Sequence, residues 1–240
     1  MAAQRLDKII ASTGRWSRRE VKDLVRQGRV TVDGGPARSA EEKADPEQAV
    51  IAVNGEKLNW RRYTWVMLNK PAGYLSATED GRGATVLDLL PQDLQRQGLF
   101  PVGRLDKDTE GLLLLTNDGD LASKLTHPKY LKKKIYHVYC DKNVTKADLD
   151  QIVQGITLDD GEIHADAVSY ASDTDKSQVG IEIHSGKNRI VRRIFESLGY
   201  RVIKLDRVYF AGLTKKGLRR GDWRYLTEME VNMLRMGSFE

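Results

Sequence analysis

Two apolar runs limit the folds open to this chain more than any other feature. Trp65-Val66-Met67-Leu68 and Leu112-Leu113-Leu114-Leu115 are hydrophobic at every position, yet too short for a globular helix. They read as buried strands. The first stops at Asn69-Lys70-Pro71, where proline has no N–H to give a sheet ladder. The second continues through Thr116 to the turn-forming Asn117-Asp118-Gly119-Asp120. Residues 135–140 and 179–184 alternate as half-buried strands do, a helix is expected over about 188–198 ahead of Gly199, and a strand follows over 200–205. Strands outnumber helices without regular alternation. That favours an α+β domain with a mixed, mostly antiparallel sheet over a doubly wound one.

Ahead of this region the pattern differs. Residues 5–28 read as two short helices. The second carries a capping box (Ser17 and Glu20), an apolar stripe (Val21, Leu24, Val25) and Gly28 for the left-handed position after its end. Arg29-Val30-Thr31-Val32 runs into an Asp33-Gly34 turn signal, and Val50-Ile51-Ala52-Val53 closes on Asn54-Gly55. The polar stretch 54–62 reads as a linker, which divides the chain into a small domain over 1–60 and a larger one over 61–240.

Charge is segregated along the chain. Residues 5–29, 124–142 and 187–224 carry a net +19 between them, while the whole chain carries +5, so the remainder is about −14. Clustered cations of this kind suit a polyanion, because each phosphate neutralised releases condensed counterions. In the small domain Arg18, Arg19, Lys22 and Arg26 lie mainly off the apolar stripe and are free for phosphates, joined by Arg5, Lys8 and Arg29. The first residues are charged where a secretory signal needs an apolar run, and no stretch is long and apolar enough to span a membrane, so a soluble cytoplasmic protein is expected. A monomer is expected. The single cysteine, Cys140, cannot form an internal disulfide and reads as a small structural residue.

The motifs of many enzyme classes are absent. There is no Gly-x-x-x-x-Gly-Lys-Ser/Thr loop, no Gly-x-Gly-x-x-Gly after a strand and no Gly-x-Ser-x-Gly elbow. The four histidines and one cysteine have no metal-ligand spacing. No cofactor and no metal are expected, which leaves chemistry by carboxylate, phenol or amine. The densest candidate is 101–120, PVGRLDKDTEGLLLLTNDGD, with Asp106 and Asp108 in a turn ahead of a buried strand. Pattern alone leaves these acids equally suited to capping the turn. Tyr136 lies in the alternating strand with Val138 and Cys140 on its side, so it points either to a cleft or to core. In GKNRIVRRIFESLGY, a helical projection sets Ile190, Val191, Ile194, Phe195 and Leu198 on one face and Arg189, Arg192 and Arg193 opposite, available for an anion.

Two resemblances sharpen this reading. RLDKIIASTGRWSRREVKDLVRQGRVTVDG resembles the small RNA-binding domain named after ribosomal protein S4. GRLDKDTEGLLLLTNDG is similar to the signature of the RsuA-type pseudouridine synthases, supported by LNKPAGY and KKKIYHV. The second resemblance implies isomerisation of a uridine in ribosomal RNA to pseudouridine without a cofactor. It makes Asp106 the catalytic carboxylate, Tyr136 the residue stacked beside the target base, and Arg192, with Arg193 as a substitute, the cation paired with Asp106. Arg104, Arg189, Arg193 and Lys134 are then expected to contact substrate, with Arg104 filling the stack that a flipped-out uridine vacates. The RLDK start and GRLDKDTEGLLLLTNDG lean to small-subunit RNA, whereas GKNRIVRRIFE and KGLRRGDWR look closer to large-subunit relatives. A non-catalytic RNA-binding or assembly factor is the reading from another class, and a damaged motif would mark it; Asp106 and Tyr136 are intact.

Overall fold

The computed structural model describes residues 2–237, which form two compact units: residues up to Thr64 together with Leu90–Leu99, and Trp65–Leu89 together with the chain from Phe100 on.

The first unit contains β1 (Gln4–Arg5), α1 (Leu6–Ala11), α2 (Arg18–Arg26), β2 (Val30–Val32), β3 (Gly35–Pro36), β4 (Lys43–Ala44), β5 (Ile51–Val53), β6 (Glu56–Lys57) and α3 (Gln92–Gln95). The capping box forms on α2: Glu20 N donates to Ser17 Oγ at 3.2 Å, and Ser17 N donates to the Glu20 carboxylate at 2.6 Å. Asp33-Gly34 and Asn54-Gly55 all have positive φ, the geometry of two-residue hairpins. These turns join β2 to β3 and β5 to β6 in a four-stranded sheet of order β3-β2-β5-β6. Leu6, Ile9 and Ile10 of α1 and Val21 and Leu24 of α2 bury against Val30, Ile51 and Val53. Lys8, Arg18, Arg19, Lys22, Arg26 and Arg29 remain exposed, and Arg5 is half-buried.

The stretch read as a linker is only partly one. Glu56–Lys57 pairs with Ala52 and Val53, and Leu58 joins the core, because the Asn54-Gly55 turn returns the chain along β5. The Leu90–Leu99 segment also packs with this unit: Gln97 Nε2 donates to Thr13 O at 2.8 Å, and Thr64 Oγ1 donates to Gln97 Oε1 at 2.7 Å. Spatial packing therefore divides the chain differently from the boundary at 60/61.

The second unit contains β7 (Trp65–Lys70), β8 (Phe100–Pro101), β9 (Glu110–Thr116), α4 (Gly119–Thr126), β10 (Lys134–Cys140), α5 (Lys146–Gln154), β11 (Ile156–Leu158), β12 (Gly161–Ile163), β13 (Ala167–Tyr170), β14 (Gln178–Ile183), α6 (Ile190–Ser197), β15 (Val202–Phe210), β16 (Leu213–Thr214), β17 (Trp223–Tyr225) and α7 (Glu228–Met236). Among the described residues its main sheet has nine strands, in the order β13-β14-β10-β15-β9-β7-β17 with β16 on β15 and β8 on β9. The β15–β9 pair is parallel and the others are antiparallel, so the unit is α+β with a mixed, mostly antiparallel sheet. The two apolar runs are the adjacent central strands β7 and β9, paired from Trp65 with Thr116 to Lys70 with Gly111. Strand β10 buries Tyr136, Val138 and Cys140 and leaves the intervening residues half-exposed. Burial drives the Cys140 thiol up to about 12, the behaviour of a packed and unreactive sulfur. No helix of the described residues is long and apolar enough to cross a membrane.

Candidate active site

The site is built where β7 ends and β9 begins. Strand β7 is apolar until its last two residues, and Lys70 at its tip is fully buried. An ammonium so placed must find acceptors, since a buried ion without partners is very costly. Its Nζ donates to the carbonyls of Pro71 (3.2 Å), Asp106 (3.0 Å), Lys107 (3.2 Å) and Thr109 (2.6 Å). One side chain thus gathers three carbonyls of the turn that carries Asp106 and Asp108. Ser76 fastens the same turn from its other side, donating to Leu105 O at 2.8 Å and accepting from Leu105 N at 3.1 Å. Thr109 N donates to Asp106 O at 3.0 Å, closing the turn before β9. Burial brings the Lys70 ammonium down to about 8, against the support of Asp108, Glu110 and Asp106.

Cations from the start of α6 reach this turn, with a division of labour that corrects the expectation. Asp106 pairs with Arg189, whose Nη1 donates to Asp106 Oδ2 at 3.0 Å and to Asp108 Oδ1 at 3.4 Å. Arg192, expected to be that partner and to lie on an accessible face, is buried. Its guanidinium donates to Asp108 O (3.2 Å), Thr109 Oγ1 (3.4 Å) and Val202 O (3.2 Å), and it lies 3.5 Å from Asp108 Oδ2. Arg193, the expected substitute, pairs with Asp159 at 3.1 Å and Asp160 at 3.0 Å. The physical reason is where the helix begins. Residues 188–189 precede α6, and Arg189 caps it in a left-handed conformation (φ 48), so its side chain leaves the helical projection. Arg192 and Arg193 lie inside the first turns of the helix and reach other partners, Arg192 inward and Arg193 towards Asp159 and Asp160.

Tyr136 lies on β10, 9% exposed, opposite Arg207 of β15; Arg207 in turn is opposite Gly111 of β9. Three neighbouring strands therefore carry Tyr136, Arg207 and the Asp106 turn. Lys134 sits two residues ahead on β10, its Nζ donating to Ser185 O at 3.4 Å, just before the segment that delivers Arg189. Arg104 is exposed on the Asp106 turn. Sequence reasoning missed Lys70 and Arg207. Lys70 was legible as a charge closing an all-apolar strand. Arg207, beside Asp206 in a strand, has the local pattern of a solvent-facing pair, and only the register reveals it as buried.

A carboxylate held by a guanidinium 3.0 Å away, on a turn pinned by a buried lysine, is fitted to act on an electrophilic carbon. Comparison with known proteins agrees. Residues 64–197 match the family model described as RNA pseudouridylate synthase, and residues 4–50 match the S4 domain. An uncharacterized RNA pseudouridine synthase of Bacillus subtilis, YtzG, is 39% identical over 96% of this chain and 98% of its own length. The ribosomal large subunit pseudouridine synthase B of the same organism is 40% identical over 97% of this chain and 96% of its own. A solved structure described as a pseudouridylate synthase superposes with a TM-score of 0.65 at 29% identity, covering 96% of this chain and 99% of that one. The chain, with an S4 domain at its N-terminus, belongs to the RNA pseudouridylate synthase family.

Proposed function

We propose that this chain isomerises a uridine of ribosomal RNA in the cytoplasm, that Asp106 is the catalytic carboxylate, and that the target lies in small-subunit RNA. The observation that carries the assignment to Asp106 is its ion pair with Arg189 on a turn immobilised by Lys70. The reaction breaks the bond between the ribose and N1, turns the uracil, and joins C5 to the same carbon. The proton leaving C5 is balanced by the one gained at N1, so no external reactant is consumed. Asp106 assists at the sugar, either by attack or by proton removal, and Arg189 orients it. Tyr136 stands beside the base and helps in the deprotonation at C5. Arg104 and Lys134 meet the RNA around the flipped nucleotide.

The small-subunit target rests on the RLDK and GRLDKDTEGLLLLTNDG segments. A large-subunit target is the second reading, favoured by the full-length similarity to the B. subtilis protein named a large-subunit synthase. Mapping pseudouridine in both ribosomal RNAs from cells with and without the protein separates the two. Loss of one small-subunit site is the expected result, and loss of a large-subunit site transfers the target. With transcripts in vitro, Asp106→Asn is expected to abolish modification; undiminished modification would sink the catalytic assignment.

A further inference from the structure

Arg207 has no part in the chemistry above, yet it is a cation set among the strands that form the site. It is 3% exposed. Its Nε donates to Leu112 O on β9 at 2.9 Å, its guanidinium lies 4.8 Å from the centre of the Phe210 ring, and it stands opposite Tyr136 across the β10–β15 pair, both side chains buried. The pairing of β10 with β15 shifts between Ile135 and Tyr136: Ile135 faces Tyr209, Tyr136 faces Arg207, and Val208 is skipped. Such an irregularity re-aims side chains, and here it sets the phenol against the guanidinium.

Packing alone does not account for a cation at this place. Burial weighs against its charge and lowers its pKa from the ordinary arginine value. Its Nη2 is buried without an acceptor. An apolar side chain of similar volume would fill the site without desolvating an ion. What distinguishes arginine here is that it can hold a carbonyl on one strand and a phenol oxygen on the next.

We infer that Arg207 is a positioning residue for the isomerisation: its N–H holds the Tyr136 hydroxyl oxygen and leaves the phenol's own O–H for the bound uracil. The inference rests on the reading that Tyr136 faces the base. Arg207 acts through Tyr136, so its effect must disappear when the hydroxyl is removed.

The test is a double-mutant cycle on the full chain, measuring kcat and KM for pseudouridine formation in a ribosomal RNA transcript. Arg207→Met is expected to lower kcat roughly ten- to hundredfold with KM changed less than about twofold. Arg207→Lys, which keeps the charge without the planar fork, is expected to recover some of that loss. In a Tyr136→Phe background, Arg207→Met is expected to cost less than about twofold more. Equal losses in both backgrounds overturn the inference. If circular dichroism shows that Arg207→Met does not fold, the same cycle with Arg207→Lys decides: a loss that vanishes in the Tyr136→Phe background supports it, and an unchanged loss, or full activity of Arg207→Lys, overturns it. A parent protein that makes no pseudouridine, or an Asp106→Asn variant that still makes it, removes the underlying reading and this inference together, and differs visibly from a failed cycle in an active enzyme.

Discussion

Lys70 shows how one buried charge organises this site. Its value of about 8 lies below the 10.5 of an ordinary lysine, with burial as the main cause. The unfolded chain keeps this proton to higher pH, so between about 8 and 10.5 the unfolded state binds more protons and the contribution of Lys70 to stability grows with pH. Below about 8 that contribution is constant and unfavourable, and the gain across the window is roughly 3 kcal/mol. Activity should move the other way. Deprotonation removes one of three donors from an ammonium that serves four carbonyls, which loosens the turn holding Asp106. Denaturant unfolding across this range should show a stability gain in the parent that Lys70→Met lacks, while parental turnover falls above about pH 8. Parallel trends in stability and turnover would refute the anchoring role. The two arginines of the α6 segment divide in the same manner. Arg189→Ala is expected to lower kcat about tenfold or more with little change in melting temperature, since Arg189 is partly exposed and touches Asp106. Arg192→Ala removes a buried donor from two carbonyls and should cost roughly 2–3 kcal/mol in unfolding free energy.

At the scale of elements, the strands that carry the site were legible because burial imposes its own pattern: β7, β9, β10 and β14 all fall where apolar runs or alternation place them. Helix α2 was legible from its capping box and stripe. Helix α7, which the sequence reading passed over, has the same capping box, with Glu230 N donating to Thr227 Oγ1 at 3.1 Å. Thr227→Ala should cost about 1 kcal/mol, read as a fall in melting temperature. The small strands β11–β13 gave little signal, being short and largely exposed. The partner of Asp106 was illegible for another reason. Helical projection assumes that Arg189 is helical, and only its backbone conformation in three dimensions shows otherwise. Strand pairing hides its requirements in the same manner. Gly111 has φ 114, and a Cβ there would come within 2.5 Å of Arg207 N and Asp206 Oδ1, in the parallel β9–β15 pair. Gly73 also has positive φ (96), but open space surrounds it. Gly73→Ala should cost roughly 1–3 kcal/mol from backbone strain alone. Gly111→Ala should exceed that and show little folded protein, because the added methyl must also push β9 and β15 away from each other. Equal melting temperatures for the two variants would contradict the close approach.

The whole molecule joins a catalytic unit to an S4 domain, and its charge is arranged to match: cations gather at 5–29, 124–142 and 187–224 while the remainder is acidic. Formal charge overstates what RNA would feel. Burial pushes the Asp7 carboxyl up, but Arg5 and Arg18 outweigh it and hold it low, so both arginines are already partly neutralised from within. Lys22 lies 3.3 Å from Glu41, and Arg26 lies 3.3 Å from Asp23. These internal pairs fix the cations in place at the expense of some counterion release on binding. Each phosphate contact removed lowers the slope of log affinity against log salt by roughly 0.7–0.9. Replacing Arg18, Arg19, Lys22 and Arg26 together by alanine should therefore reduce the slope for a ribosomal RNA fragment by more than one such contact and by less than four. Asp106→Asn, which alters the chemistry and not the basic surface, should leave the slope within about one contact of the parent. Binding titrations of the three proteins at several salt concentrations separate grip from catalysis. If the quadruple variant kept the parental slope, RNA would be held elsewhere, and the surface of α2 would be no more than a solvated basic face.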